Sequence, residues 1–188
     1  MYSFLLLIFL GICFRYCYKV YNIDVSEART LFESNEQQFI VCGYGHTSML
    51  DTPYYCMAGI KLGNIICLAK SKYKKYYPWF ILPYIHFIDK GTTKIKDKRH
   101  ITLLIEGTRT KQSKLRSGYY YLAQNNDAHI VYFIIDFNNN KIRMSRPITH
   151  NINIKESLLP LIELTNNYKK SSFSRYPKNL SDIKLGDI

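Results

Sequence analysis

His46 and Asp51 are the two residues of this chain whose types and spacing best suit acid–base chemistry. They lie in the segment FIVCGYGHTSMLDTPYY, where an apolar, strand-like run ends just before the histidine. A loop at this point would expose the imidazole, and the carboxylate five residues later could hold it in one tautomer. A histidine held in this way can take a proton from a hydroxyl as a general base, while the carboxylate stabilises the imidazolium. The HxxxxD spacing alone is weak, because it arises by chance in about one such chain in four.

A second polar group, Glu106, Gly107, Thr108 and Arg109, follows another apolar run in ITLLIEGTRTKQSKLRSG. Glycine allows a sharp turn, threonine and backbone amides can donate to phosphate oxygens, and arginine offers a planar fork to the same anion. Taken alone, the segment also fits a surface turn in which Glu106 pairs with Arg109. An EGTR tetrapeptide, however, arises by chance in only about a few chains per thousand of this length. Its position after HxxxxD therefore favours a functional pair of motifs.

In this order, the two motifs resemble the signature blocks of the 1-acylglycerol-3-phosphate (lysophosphatidate) acyltransferase family of glycerolipid acyltransferases. Between them, CLAKSKYKKYYPWF and HFIDKG are similar to the family's second block and to its FIDR strand, which aligns Lys70 and Lys90 with basic family positions. Further on, KLRSGYYYLA, HIVYFII and MSRPITHNI are similar to later family segments. The resemblance covers residues 38–150.

The chain also departs from the family pattern at several places. Gly45 stands where the family usually has asparagine, and Ile105 and Tyr132 each stand where it usually has proline. The stretch between Asp89 and Glu106 is too short for the helix that family members usually carry there. None of the three substitutions removes a catalytic group, and the shortened stretch concerns acyl-chain selection and head-group preference.

The resemblance implies a direct acyl transfer from acyl-CoA or an acyl carrier protein to the free hydroxyl of lysophosphatidate, giving phosphatidate. His46 would deprotonate the hydroxyl, and Asp51 would orient His46. The implied substrate-binding residues are Glu106, Gly107, Thr108 and Arg109 at the acceptor phosphate, with Lys70 and Lys90 as secondary contacts. No metal and no bound cofactor is implied beyond the acyl thioester as cosubstrate. Alternatives are an acyltransferase for another lysophospholipid or hydroxyl acceptor, and a non-catalytic protein that binds membranes or nucleic acid.

The remaining chain alternates strand-like runs with helical segments, which predicts an α/β fold: a single domain with a mixed β-sheet flanked by helices. Strands are predicted at residues 39–42, 64–69, 86–89, 101–105, 130–137 and 141–147. Helices are predicted within 22–38 and at 50–61, 115–125 and 155–168, the last kinked or started late by Pro160. The triplet Asn138-Asn139-Asn140 predicts a tight turn.

The N-terminal segment MYSFLLLIFLGICF is almost wholly apolar, and Arg15 and Lys19 follow it among three tyrosines. This pattern predicts a membrane helix over residues 1–21, a domain at 22–170 that faces the cytoplasm, and a loosely structured tail at 171–188. The apolar run is shorter than the roughly 20 residues that span a bilayer, so the helix would insert obliquely or span with help from residues up to Val20. A cleaved signal peptide is the alternative, but no basic beginning or small-residue cleavage site supports it.

Composition points to anionic partners, because 26 Lys and Arg residues against 14 Asp and Glu residues give a net charge of +12. A basic and aromatic segment at residues 72–79 could stack on single-stranded nucleic acid. Beside an N-terminal anchor, it fits lysines and aromatics at a membrane surface better, so the membrane is the predicted partner and no specific nucleic acid is expected. The five cysteines form no CxxC pair, which predicts buried free thiols rather than a metal site.

Overall fold

A mixed β-sheet forms the centre of the protein in a computed structural model that describes residues 2–44, 51–77, 79–89, 91–92, 94–105, 114–167 and 184–186. The strands are β1 Phe39–Gly43, β2 Ile65–Lys70, β3 Ile85–Ile88, β4 His100–Leu104, β5 Lys114–Arg116, β6 His129–Asp136, β7 Lys141–Met144 and β8 Lys184–Gly186. The central sheet has the order β3-β2-β4-β1-β6-β7, and all its pairings are parallel except that of β6 with β7. The predicted α/β fold with a mixed sheet is confirmed.

Helices cover both faces of this sheet. They are α1 Tyr2–Tyr21, α2 Ser26–Glu33, α3 Asp51–Leu62, α4 Gly118–Asn126 and α5 Leu159–Asn167, with short 3₁₀ helices at Ser71–Tyr76, Trp79–Tyr84 and Glu156–Leu158. Alternate residues of β1 point to opposite faces, so Ile40 and Cys42 join the core under α4 and α5, whereas Phe39 and Val41 join the core under α1, α2 and α3. A strand covered on both faces needs an unbroken apolar sequence, which explains the run FIVCG.

The last helix settles the effect of Pro160. The predicted segment 155–168 divides into the 3₁₀ helix Glu156–Leu158 and α5, which begins at Leu159. Pro160 therefore lies in the first turn of α5, where a backbone N–H has no intrahelical partner and its absence costs little. The prediction that proline would delay the start of this helix is confirmed.

The N-terminal segment forms α1, and its second half packs against the domain. The rings of Tyr16 and Tyr54 have centroids 5.9 Å apart, Lys61 Nζ lies 5.6 Å from the centroid of the Tyr21 ring, and Val20 is buried. Since Tyr54 lies near the beginning of α3 and Lys61 near its end, while Tyr16 precedes Tyr21 in α1, the two helices run parallel. Among the described residues, no helix is long and apolar enough to cross a bilayer.

The predicted asparagine turn joins β6 to β7. Residues 137–140 form the turn, and Asn140 has a φ of 52°, a left-handed conformation that asparagine tolerates better than most residues. The side-chain amide of Asn140 donates a 2.8 Å hydrogen bond to the carbonyl oxygen of Lys19. The turn therefore also fixes the end of α1.

Two connections shape the region around the central sheet. From Asp89 to Arg99, the described residues form neither helix nor strand, in agreement with the short stretch noted in the sequence. Ile95 is buried there, and its N–H donates a 2.8 Å hydrogen bond to Asn126 Oδ1. β5 pairs in parallel with β8, which is the described part of the C-terminal tail.

Candidate functional site

The carboxyl edge of the central sheet is where the described strands that precede the predicted site residues end. Because β1, β2, β3 and β4 are mutually parallel, their last residues lie along one edge. The register pairs Gly43 with Leu104 and Lys70 with Ile88 at that edge. In sheets of this kind, ligands bind beyond the carboxyl ends of the strands.

The predicted site residues differ in how far the structure describes them. His46, Lys90, Glu106, Gly107, Thr108 and Arg109 lie outside the described residues. Asp51 begins α3, with only its backbone described, and Lys70 is the exposed last residue of β2. What the structure brings together is therefore the pair of strand ends from which the two motif-bearing segments leave.

The ends of β1 and β4 are joined by a hydrogen bond beyond the last paired residues. The N–H of Ile105 donates to the carbonyl oxygen of Gly43 at 3.1 Å, and on the other side of β1 the N–H of Tyr44 donates to the carbonyl oxygen of Phe133 at 3.2 Å. Tyr44 and Ile105 are both buried. The residues just before HxxxxD and just before EGTR are thus held in place side by side.

Gly43 is required by close packing at this junction. A Cβ atom at this position would lie 2.6 Å from Leu104 Cδ2 and 2.7 Å from Phe133 Cζ, both closer than carbon atoms normally approach. Leu104 and Phe133 are the residues paired with Gly43 on the two neighbouring strands. Because Gly43 has no side chain, these two large residues can pack against the same face of β1 beneath the candidate site.

The segment that carries EGTR begins and ends at the same point. Ile105 precedes it, and the N–H of Arg116 returns to donate a 3.1 Å hydrogen bond to the carbonyl oxygen of Ile105. Leu115, the neighbour of Arg116, is buried in the core under α4. Residues 106–113 are therefore tethered at both ends beside β1, whatever path they take between them.

The connections after β1 and β4 leave toward opposite faces of the sheet. The chain after β1 continues into α3, whose Tyr54 and Ala58 join the core with Phe39 and Val41. The chain after β4 continues into α4, which packs on the other face. Adjacent parallel strands whose connections diverge in this way leave a crevice between them, the usual ligand position in open α/β sheets.

Buried titratable groups below this edge are structural. Burial raises the pKa of the Cys42 thiol well above its usual value, so this cysteine stays protonated and is no nucleophile. Burial likewise raises the pKa of Tyr119 to about 12, although its hydroxyl lies 3.1 Å from Ser157 Oγ and gains a hydrogen bond there. The prediction of buried thiols is correct for Cys42 but wrong for Cys17 on α1 and Cys67 on β2, which are exposed.

The other histidines lie away from the carboxyl edge or inside the core. His100, the first residue of β4, is buried, and its Nδ1 accepts a 3.2 Å hydrogen bond from the N–H of Phe39. His150 Nε2 lies 3.7 Å from Asp127 Oδ1, a pairing that sequence spacing does not suggest. Asp127 follows α4 and precedes β6, so this pair belongs to the amino edge, opposite the candidate loops.

Away from the carboxyl edge, the described residues line a cleft but group into no metal centre. In the part of the chain that the structure describes, no three His, Cys, Asp or Glu residues are grouped so that they could hold a metal ion. A cleft of about 450 Å³ lined by Ile148 and Leu159 lies near the beginning of β6, because Ile148 pairs with Ile130. Comparison of the chain with protein-family models, with characterised proteins and with solved structures gives no match.

Proposed function

We propose that this chain is a 1-acylglycerol-3-phosphate O-acyltransferase, which moves a fatty acyl group from acyl-CoA or an acyl carrier protein to lysophosphatidate and yields phosphatidate. The observation that carries the proposal is the 3.1 Å hydrogen bond from Ile105 N–H to the Gly43 carbonyl oxygen. It ties together the starting points of the HxxxxD and EGTR segments. The two motif-bearing segments therefore leave from neighbouring strand ends, which supports the proposal that their residues act on one substrate.

Chain length limits how far the two motifs can separate. His46 is three residues beyond Gly43, and Arg109 is four residues beyond Ile105. Even a fully extended chain would place them no more than roughly 10 Å and 14 Å from the hydrogen-bonded pair. These limits are compatible with the proposal, which requires a single lysophosphatidate to meet Arg109 with its phosphate and His46 with its free hydroxyl.

The proposed reaction is a single displacement. The imidazole of His46 takes the proton from the free hydroxyl as that oxygen attacks the thioester carbonyl. A new carbon–oxygen ester bond forms, the carbon–sulfur bond breaks, and the departing thiolate recovers the proton from the imidazolium. Asp51 holds the imidazole in one tautomer and stabilises its charged form during the transfer. No covalent acyl-enzyme is needed.

The acceptor phosphate is assigned to the EGTR turn and the neighbouring basic residues. Arg109 supplies a bidentate fork, Thr108 and the backbone at Gly107 supply donors, and Glu106 belongs to the same turn. Lys70 supports this assignment, since it is exposed at the end of β2, next to β4 on the same edge. Lys90, which follows β3 by two residues, is the second basic contact in the proposal.

The substrates also imply a membrane location. Lysophosphatidate and phosphatidate are lipids, so the proposed enzyme works at a bilayer, with α1 as its anchor and the domain on the cytoplasmic side. The exposed apolar residues Leu10, Ile12 and Phe14 of α1 fit contact with lipid. A different lysophospholipid as acceptor would be compatible with the same chemistry at His46.

A direct assay tests the proposal. The full chain is purified in detergent and incubated with acyl-CoA and, separately, with lysophosphatidate, lysophosphatidylcholine and other lysolipids, and products are identified by mass spectrometry. We expect phosphatidate formation that disappears in the His46→Ala variant. Transfer to another lysolipid only would replace the proposed acceptor, and absence of transfer to every acceptor would overturn the proposed chemistry.

A further inference from the structure

Six residues form an exposed basic and aromatic surface beside the candidate site. Lys72, Lys74 and Lys75 are exposed, as are Tyr73, Tyr76 and Trp79, which keep 45%, 70% and 81% of their surface accessible. Large aromatic side chains are costly to leave in water. We name this set the basic-aromatic surface, with the members Lys72, Tyr73, Lys74, Lys75, Tyr76 and Trp79.

The charges and rings of this surface are interleaved. Lys72 Nζ lies 5.0 Å from the centroid of the Tyr73 ring, and Lys75 Nζ lies 5.0 Å from that of Tyr76. No acidic residue occurs in the sequence between Asp51 and Asp89. The surface is therefore purely cationic and amphipathic, which is the composition that suits the headgroup region of an anionic bilayer.

The backbone that carries this surface is fixed to the sheet. Tyr77, which the sequence grouped with the exposed aromatics, is only partly exposed and packs edge-on against Phe87 of β3, with ring centroids 5.8 Å apart. Lys74 Nζ lies 5.8 Å from the centroid of the same Phe87 ring. The 3₁₀ helix Ser71–Tyr76 begins immediately after Lys70, at the end of β2. The basic-aromatic surface thus starts at the carboxyl edge.

Helix α1 reaches the same edge from the other side of α3. Tyr16 packs on Tyr54, three residues after the start of α3, and the two helices are parallel. The residues of α1 before about position 13 therefore extend past the start of α3, over a length of roughly 16 Å at 1.5 Å per residue. The 3₁₀ helix Trp79–Tyr84 contacts α3 as well, so α3 separates α1 from the basic-aromatic surface.

We infer that the carboxyl edge of this protein docks on an anionic bilayer, with the basic-aromatic surface among the headgroups and the first half of α1 inside one leaflet. The free length of α1 is about half the roughly 30 Å thickness of the hydrocarbon core. In this orientation, the carboxyl ends of β1 and β4 face the lipid. Direct access for a lipid acceptor rests on the proposed acyl transfer, whereas the docking itself does not.

Trp79 provides the measurement, because it is the only tryptophan in the chain. The full chain is titrated with vesicles of phosphatidylcholine containing phosphatidylserine and with vesicles of phosphatidylcholine alone, without acyl donor. We expect the tryptophan emission to shift to shorter wavelength with the anionic vesicles, and lipids brominated on the acyl chain to quench it. Unchanged Trp79 emission on vesicle-bound protein would show that another surface makes the contact and would overturn the inference.

A charge-matched pair of variants tests which lysines matter. The first variant is Lys72→Gln, Lys74→Gln, Lys75→Gln, and the second is Lys94→Gln, Lys96→Gln, Lys98→Gln, whose lysines are exposed near the beginning of β4 at the opposite edge. We expect the first to lose anionic-vesicle affinity by on the order of a hundredfold and the second to lose little, since each lysine near the surface contributes about fivefold. Equal losses of vesicle affinity in the two variants would show that only net charge matters and would contradict a specific docking surface.

Two further experiments distinguish this inference from the alternative explanations. Strong binding of a labelled single-stranded oligonucleotide at physiological salt, with no vesicle binding, would replace the bilayer with nucleic acid. If the first variant still transfers acyl groups to a short-chain lysolipid dissolved as a monomer but not to one held in anionic vesicles, docking is needed for lipid access. If the wild type transfers to neither but binds the vesicles, the docking stands and the proposed function fails.

Discussion

The N–H of Ile105 donates a 3.1 Å hydrogen bond to the carbonyl oxygen of Gly43. Ile105 occupies the position where the acyltransferase family proposed for this chain usually has proline, which has no N–H to donate. The bond extends the pairing of β1 with β4 to the residue just before Glu106. The departure from the family pattern therefore adds a tie between the two motif-bearing segments.

Substitution of Gly43 by alanine should destabilise the fold. The new Cβ would meet Leu104 Cδ2 at 2.6 Å and Phe133 Cζ at 2.7 Å, and moving two side chains in a packed layer costs about 1–3 kcal/mol. Urea unfolding gives the free energy of unfolding of both proteins. Gly118→Ala is the matched control, because a Cβ at position 118 meets nothing within 4 Å.

A double substitution checks that the loss comes from this contact. Leu104→Ala removes the nearest atom, so Gly43→Ala should cost less in the Leu104→Ala protein than in the wild type, with a coupling free energy on the order of 1 kcal/mol. Strictly additive losses would mean that the strain arises elsewhere in β1. If the Gly43→Ala protein were as stable as the Gly118→Ala control, Leu104 and Phe133 would be able to move aside at no cost in free energy.

The pH dependence of stability should carry a contribution from His100. Burial lowers the pKa of this histidine from its usual 6.5, so the folded protein holds it neutral. Below about pH 6.5 the unfolded chain binds a proton that the folded chain does not, and the free energy of unfolding falls with decreasing pH by at most about 1.4 kcal/mol per unit. Urea unfolding between about pH 7.5 and 5.5 measures this slope.

His100→Asn isolates that contribution from those of the other histidines. The asparagine oxygen takes the place of Nδ1 and can accept the hydrogen bond from Phe39 N–H, but it does not titrate. We expect a shallower loss of stability on acidification in the variant. Parallel pH profiles for the two proteins would show that His100 binds its proton equally in the folded and the unfolded chain.

The strands of the sheet could be predicted because burial on both faces leaves a local pattern. The runs FIVCG and HIVYFIID form β1 and β6 and are apolar almost throughout. The order of the strands left no such pattern: β4 lies between β1 and β2 because of packing among distant segments. The pairing of His150 with Asp127 joins residues far apart in sequence, so no local spacing could predict it.

The residues of the candidate site stay a prediction from the sequence, whereas the strand ends that support them are seen only in the structure. HxxxxD and EGTR are short local motifs that are visible in the sequence alone. The two motif-bearing segments start from neighbouring strand ends because of the parallel register that pairs Gly43 with Leu104. A strand register cannot be derived from either motif. The placement of α1 depends on Tyr16 and Tyr21 packing against α3, contacts that an apolar membrane pattern does not predict.

The proposed general base gives a simple prediction. His46→Ala should abolish acyl transfer, because no other group is assigned to take the hydroxyl proton, while thermal melting stays close to that of the wild type. His129→Ala is a control, since His129 begins β6 at the opposite edge and should keep its turnover. Robust transfer by the His46→Ala protein would remove this histidine from the mechanism.

The carboxylate partner is tested separately. Asp51→Asn keeps the shape of the side chain but removes the charge that stabilises the imidazolium, so kcat should fall severely, by roughly a hundredfold or more. A single-turnover assay with acyl-CoA and lysophosphatidate measures the chemical step. Kinetics equal to those of the wild type would mean that Asp51 and His46 do not act as partners.

The proposed role of Arg109 in head-group choice can be tested by substitution. If its guanidinium forks onto the acceptor's phosphate monoester, Arg109→Lys keeps the charge but loses the planar bidentate geometry. We expect kcat/KM for lysophosphatidate to fall by an amount equivalent to roughly 1.5–3 kcal/mol, while saturation by acyl-CoA changes much less. Initial rates measured with each substrate varied in turn separate the two effects. Arg116→Lys, a change beyond the EGTR segment, is the matched control.

If lysophosphatidate kinetics survive Arg109→Lys, or if the wild type prefers lysophosphatidylcholine, EGTR does not bind a terminal phosphate here. An acyltransferase with a different acceptor then becomes the better account, because its chemistry at His46 needs no arginine fork.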